Sequence, residues 1–127
     1  MKHILLLGTG GTIACKHGDS GLTPLLTGDE LLSYVPAARS FCEVEAIQVL
    51  NIDSTNIHPK HWKLLCQVLG DQTKAVFLGH LSKENNYEEL AYATVKLEID
   101  LGDTDYHADD FRIEVASREK LSPVIAF

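Results

Sequence analysis

Apolar residues fall into short clusters along the chain, broken by glycine, proline and small polar residues. His3-Ile-Leu-Leu-Leu7 ends at Gly8-Thr-Gly-Gly11, the pattern of a buried strand running into a tight turn. Gly18, Gly21 and Pro24 punctuate residues 13–26, which read as a loop or irregular hairpin. Thr27-Gly-Asp-Glu30 has capping-box spacing ahead of Leu31, Leu32, Tyr34 and Val35, and Pro36 closes the short helix so predicted. Phe41–Leu50 alternates in part and then turns apolar, giving a second strand, and Asn51-Ile-Asp-Ser-Thr-Asn56 follows as a polar turn. Pro59 suits the first turn of a helix whose apolar stripe is Trp62, Leu65, Cys66 and Leu69, ending at Gly70.

Ala75-Val-Phe-Leu78 predicts another buried strand. A helix follows from Tyr87 to about Glu98, with Leu90, Ala91, Val95 and Leu97 on its apolar side. Asp103–Asp110 is an acidic loop, Phe111, Ile113 and Val115 form a late strand, and Val124–Phe127 reads as a final short one. Strands alternating with helices make an α/β chain.

Composition narrows the classes of function. The chain has 127 residues, 45% of them hydrophobic and 23% charged, as in a soluble globular domain. A net charge of −7 argues against nucleic acid as a partner. No apolar run is long enough to span a bilayer and no basic, cleavable leader opens the chain, so a cytoplasmic protein without a membrane partner is expected. Cys15, Cys42 and Cys66 are sparse, odd in number and without C-x-x-C spacing, the usage of a reducing compartment. The charge is uneven, −1 over residues 1–66 and −6 over residues 67–127.

The first candidate chemistry is the turn Gly8-Thr-Gly-Gly-Thr12-Ile-Ala14. Glycines after a strand let the backbone turn sharply at the carboxyl end, where α/β sheets bind ligands, and Thr9 and Thr12 are exposed there as candidate hydroxyl nucleophiles. Ile13 stands where a dinucleotide fingerprint needs its third glycine. Leu7-Gly-Thr-Gly-Gly-Thr-Ile-Ala14, Gly21-x-x-Pro24 and Asn51-Ile-Asp-Ser-Thr-Asn56 together resemble the N-terminal part of bacterial-type L-asparaginases over residues 1–65. The resemblance implies that Thr12 attacks the side-chain amide of asparagine, and that Ser54 and Thr55, with Gly11, bind the substrate's α-carboxylate and amino ends. It implies no cofactor and allows a homo-oligomer. Leu22 stands where many members carry a tyrosine, and residues 67–127 hold neither the family's T-D-T motif nor the lysine of its proton relay; Asp103-Thr-Asp105 is D-T-D, the wrong order.

Val76-Phe-Leu-Gly-His-Leu-Ser-Lys-Glu-Asn-Asn86 and Glu89-Leu-Ala-Tyr92 resemble a different family, the C-terminal part of metallo-β-lactamase-fold hydrolases of the H-L-S-x-x-N-N group, over residues 65–127. That resemblance implies that His80 is a ligand to a divalent metal such as zinc, although its H-x-H-x-D-H cluster is missing and zinc needs three or four ligands. His58 and His61 are three apart on one helix face. Asp103, Asp105 and Glu114 have the spacing of a calcium loop, but Ala108 stands where it needs glycine, so a solvated turn is expected.

The expected architecture is therefore α/β. Residues 1–65 form a partial, doubly wound, asparaginase-like sheet, and residues 66–127 an α+β, metallo-β-lactamase-like tail. The expected function is asparaginase-type amide hydrolysis, incomplete within this chain. The alternatives are a fragment of a metal-dependent hydrolase and a non-catalytic fusion of two gene fragments joined near Trp62–Val68.

Overall fold

The computed structural model describes residues 1–11, 15–18, 21–24, 26–79, 81, 87–117 and 119–126. They form two compact units, Met1–Ile57 and His58–Phe127. The expected division lay at residues 65/66, inside the helix that opens the second unit.

The first unit is built on two long strands, β1 (Lys2–Gly10) and β4 (Cys42–Ile52), paired in parallel from Lys2 opposite Cys42 onward. Parallel neighbours need a long connection. Here it runs through the antiparallel hairpin β2 (Cys15–Gly18) and β3 (Gly21–Pro24), then α1 (Gly28–Ser33) and α2 (Ala38–Phe41). The capping box at α1 forms as its sequence requires: the Glu30 N–H donates to Thr27 Oγ1 at 3.3 Å, and the Thr27 N–H donates to the Glu30 carboxylate at 2.8 Å. Pro36 does stop α1, but the chain re-enters a helical turn at α2, which the sequence pattern did not predict. One turn of helix carries too few apolar positions to show a period.

The second unit contains α3 (Pro59–Cys66), β5 (Ala75–Leu78), α4 (Glu88–Asp100) and β6 (Arg112–Val115), with a 3-10 turn at Ala108–Asp110. β5 and β6 pair in parallel, Ala75 opposite Arg112 through Leu78 opposite Val115, and the ladder continues where the Ala116 N–H donates to the Leu78 carbonyl at 2.9 Å. With α4 between them they make a β-α-β unit, so the α+β arrangement expected for residues 66–127 is corrected to α/β. Its core joins Leu78, Ala91, Val95, Ile99, Ala108, Phe111 and Ile113, against which Trp62, Cys66 and Leu69 of the α3 stripe pack.

Two further expectations are corrected. Ala91, Val95 and Ile99 follow the four-residue repeat of one helix face, whereas Leu90 and Leu97 lie on the solvent side, 42% and 54% exposed. Residues 124–126 form no strand, and Val124 is almost fully exposed. The described strands pair as three two-stranded sheets, β1 with β4, β2 with β3 and β5 with β6. The acidic loop is tied to its own unit: Lys63 and Lys96 approach Asp103 and Asp109 at 3.4 Å, and the Ala108 N–H donates to Asp100 at 2.7 Å.

Candidate active site

Two motifs singled out in the sequence meet at the carboxyl end of the parallel pair β1 and β4. The pairing holds one register from Lys2 to Gly8, then shifts so that Gly10 lies opposite Ile52. Gly10 and Gly11 have φ of +92° and +82°, left-handed values that L side chains rarely adopt. At Gly10 a Cβ would also lie 2.7 Å from both the nitrogen and the oxygen of Ile52, whereas at Gly11 it would meet open space. The Gly11 N–H donates to the Ile52 carbonyl at 2.8 Å. The strand end that leads into Thr12 is thereby fixed beside the residue that leads into Asp53-Ser-Thr-Asn56.

That second motif is a single 3-10 turn, Ser54–Asn56, organised by the residue before it. One carboxylate oxygen of Asp53 accepts from the Thr55 N–H at 3.0 Å and from the Thr55 hydroxyl at 3.1 Å. The Asn56 N–H donates to the Asp53 carbonyl at 2.9 Å. A hydroxyl that donates its proton inward keeps its lone pairs for a ligand, so Thr55 is set up to accept, which suits a protonated amino group.

The expected site residues separate as follows. Gly11 and Thr55 are in the described residues, on adjoining segments, and the backbone of Ser54 lies in the same turn as Thr55. The N–H of Gly11 is engaged by Ile52, so the contribution of Gly11 to a site is the bare, left-handed turn it makes. Thr12 and His80 lie outside the described residues. Asp53 organises this turn without having been expected at the site; its signal is the D-x-T spacing by which an aspartate side chain bonds backbone two residues on. Gln48, whose side-chain amide bonds the Leu50 carbonyl and the Gly28 N–H, carried no sequence signal beyond a polar residue on an apolar strand.

Among the described residues no three His, Cys, Asp or Glu side chains come together as a metal site. His58 and His61 instead cap α3: their rings stack with centroids 5.9 Å apart, and His61 Nδ1 accepts from the His58 N–H at 3.0 Å. A shallow cavity of about 90 Å³ is lined by residues of the second unit, Lys63, Cys66, Glu98 and Tyr106 among them. There burial, and then the Glu98 carboxylate, push the Cys66 thiol up to about 11, and the hydrogen bond Tyr106 donates to Asp71 at 2.6 Å holds the phenol above its usual value. A protonated, half-buried thiol is a poor nucleophile.

The profile of the family described as asparaginase, N-terminal, matches residues 3–80, more than half of the chain. The chain belongs to the asparaginase family. This asparaginase-family chain is 30% identical over 97 residues to a glutamyl-tRNA(Gln) amidotransferase subunit of Methanococcus maripaludis, an alignment that covers 72% of the chain and 23% of the relative. It is 38% identical over 60 residues to the L-asparaginase of Thermococcus kodakarensis, covering 46% of the chain and 18% of that enzyme. Its fold matches the solved thermostable L-asparaginase from Thermococcus kodakarensis with a TM-score of 0.55 at 30% identity, over 78% of this chain and 29% of the other. The chain thus spans about a quarter of the length of the relatives it matches. The family match continues past residue 65, where the resemblance was expected to stop, and takes in β5. None of these matches carries the metallo-β-lactamase-like tail expected for residues 66–127.

Proposed function

We propose that this chain carries one side of an asparaginase-type amide-hydrolysing site: the nucleophile and the pocket for the amino-acid end of the substrate. The supporting observation is the hydrogen bond from the Gly11 N–H to the carbonyl of Ile52, the residue that leads into the Asp53–Asn56 turn. Thr12 Oγ1 would attack the side-chain amide carbon of asparagine, with the tetrahedral oxyanion held by backbone N–H groups. Ammonia then leaves as the ester forms, and water releases aspartate and the free hydroxyl. Ser54 would hold the α-carboxylate and Thr55 the α-amino group, the polarity that the inward hydrogen bond from Thr55 to Asp53 favours. The reaction needs no cofactor, and a cytoplasmic setting suits three sparse cysteines without disulfide spacing.

An unassisted threonine hydroxyl is a weak nucleophile, and neither a T-D-T motif nor its partner lysine is found in residues 67–127. The chain by itself is therefore expected to bind without turning over. The test is ammonia release from L-asparagine and L-glutamine, compared with Thr12→Ala. The expected rate does not exceed that of the variant, and a Thr12-dependent rate would overturn the incompleteness.

A second reading, a fusion of two gene fragments without catalysis, draws on the division into two compact units and on the charge step between the two halves. It is separated from the first by calorimetry: a fusion of half-domains should melt broadly, and one sharp transition would count against it. The metal-dependent alternative is left with His80 alone and would require bound zinc after purification without chelator.

A further inference from the structure

Gln48 stands where β4 leaves register with β1. From Lys2 opposite Cys42 to Gly8 opposite Gln48 the strands advance together; then Gly10 meets Ile52, so β1 moves two positions while β4 moves four. Backbone groups displaced from a ladder need other partners. Gln48 supplies one: its Nε2 donates to the Leu50 carbonyl, inside the displaced stretch, at 2.6 Å. Its Oε1 accepts from the Gly28 N–H, a donor at the start of α1 that has no partner within the helix, at 3.0 Å. A donor on one side and an acceptor on the other fix which end of the amide is oxygen. The amide lies over Gly8, where a Cβ would sit 2.4 Å from Oε1.

Without the shift, Gly10 would face Leu50, and the Asp53–Asn56 turn would begin two residues further from the end of β1, a displacement of roughly 6–7 Å. The displaced stretch absorbs those residues, and the Gly11 N–H then reaches the Ile52 carbonyl. We infer that Gln48 is a positioning residue, whose side-chain amide holds the shifted register that sets Gly11 against Ile52, at the start of the Asp53–Asn56 turn. Its importance to catalysis rests on the reading that the two segments form one amide-hydrolysing site.

The test is native-state amide hydrogen exchange on the whole chain for wild type, Gln48→Leu and Gln48→Glu. Leucine removes both hydrogen bonds, while glutamate keeps the acceptor for Gly28 and loses the donor to Leu50. In both variants Gly11 is expected to exchange at least about tenfold faster, with β1 and β4 amides before Gly8 and Gln48 changed by less than about twofold. Gly28 should accelerate in Gln48→Leu only. Uniform acceleration along both strands in Gln48→Glu would reduce the residue to a general stabiliser, and an unchanged Gly11 would remove it from the account; either result overturns the inference. Should Gln48→Leu fail to fold, Gln48→Glu decides. An L-aspartate titration of the wild type separates the two claims: the predicted exchange pattern without any response to L-aspartate upholds Gln48 and refutes the shared site.

Discussion

Replacing Gly10 with alanine places a methyl group where the backbone of β4 already runs. Two penalties add there. The φ of +92° holds an L residue in left-handed space, at about 1–2 kcal/mol. The new Cβ would also lie 2.7 Å from the Ile52 nitrogen and oxygen, so the strand end must shift, at about 1–3 kcal/mol more by analogy with overpacked cores. Gly11→Ala supplies the internal control. Its φ is +82°, but nothing lies within 4 Å of the added carbon, so only the conformational part remains. The reduced freedom of the unfolded chain offsets either loss by about 0.4–1 kcal/mol. The net expectation is about 1–5 kcal/mol for Gly10→Ala and about 0–1.6 kcal/mol for Gly11→Ala, a difference of about 1–3 kcal/mol set by the contact with Ile52. Amide hydrogen exchange of β1 and β4 is the appropriate assay, because the single tryptophan, Trp62, belongs to the second unit and its fluorescence reports there. Equal losses of protection in the two variants would refute the reasoning, since they differ only in the contact with Ile52.

Other consequences follow from the second unit. Ala91 is fully buried at the centre of its core, so Ala91→Leu should cost about 1–3 kcal/mol and lower the urea midpoint followed by Trp62 fluorescence. An unchanged midpoint would mean that the core has room to spare. The folded unit keeps the Cys66 thiol protonated to about 11, whereas the unfolded chain ionises near 9.0. Stability should therefore be whole below pH 9.0 and fall as the pH rises towards about 11, and Cys66→Ala should flatten that fall. Alkylation of Cys66 in the folded chain at neutral pH should be slow and should quicken in Glu98→Gln, because the carboxylate is the second cause of the raised value.

Local signals in the sequence were most readable where a few adjacent residues dictate one geometry. Thr27 and Glu30 announced their capping box, Pro59 announced the start of α3, and the glycine run announced the left-handed turn after β1. The expected strands 41–50 and 75–78 overlap or coincide with β4 and β5. Features set by tertiary partners were harder to read. Leu90 and Leu97 are as apolar as Val95, and only the direction from which the core approaches α4 decides that Ile99 is inside and Leu97 outside. The alternation of strands and helices was legible as α/β, and the parallel pairing of β5 with β6 agrees with it; the α+β arrangement expected for residues 66–127 came from the resemblance around His80. At the candidate site, the motifs containing Gly11, Ser54 and Thr55 were visible as strings. Their meeting depends on a two-residue register shift held by Gln48, which leaves no trace in hydrophobic periodicity.

Everything proposed about function turns on whether the end of β1 and the turn after β4 form one binding site for an amino acid. Titrating the isotope-labelled chain with L-aspartate, and separately with succinate, tests this most directly. A shared site predicts saturable shifts confined to the amides of Gly11, Thr12, Ser54 and Thr55, with L-aspartate bound more tightly than succinate because Thr55 accepts from the amino group. Equal responses to the two ligands, shifts centred on the cavity beside Cys66, or no response at all would contradict it.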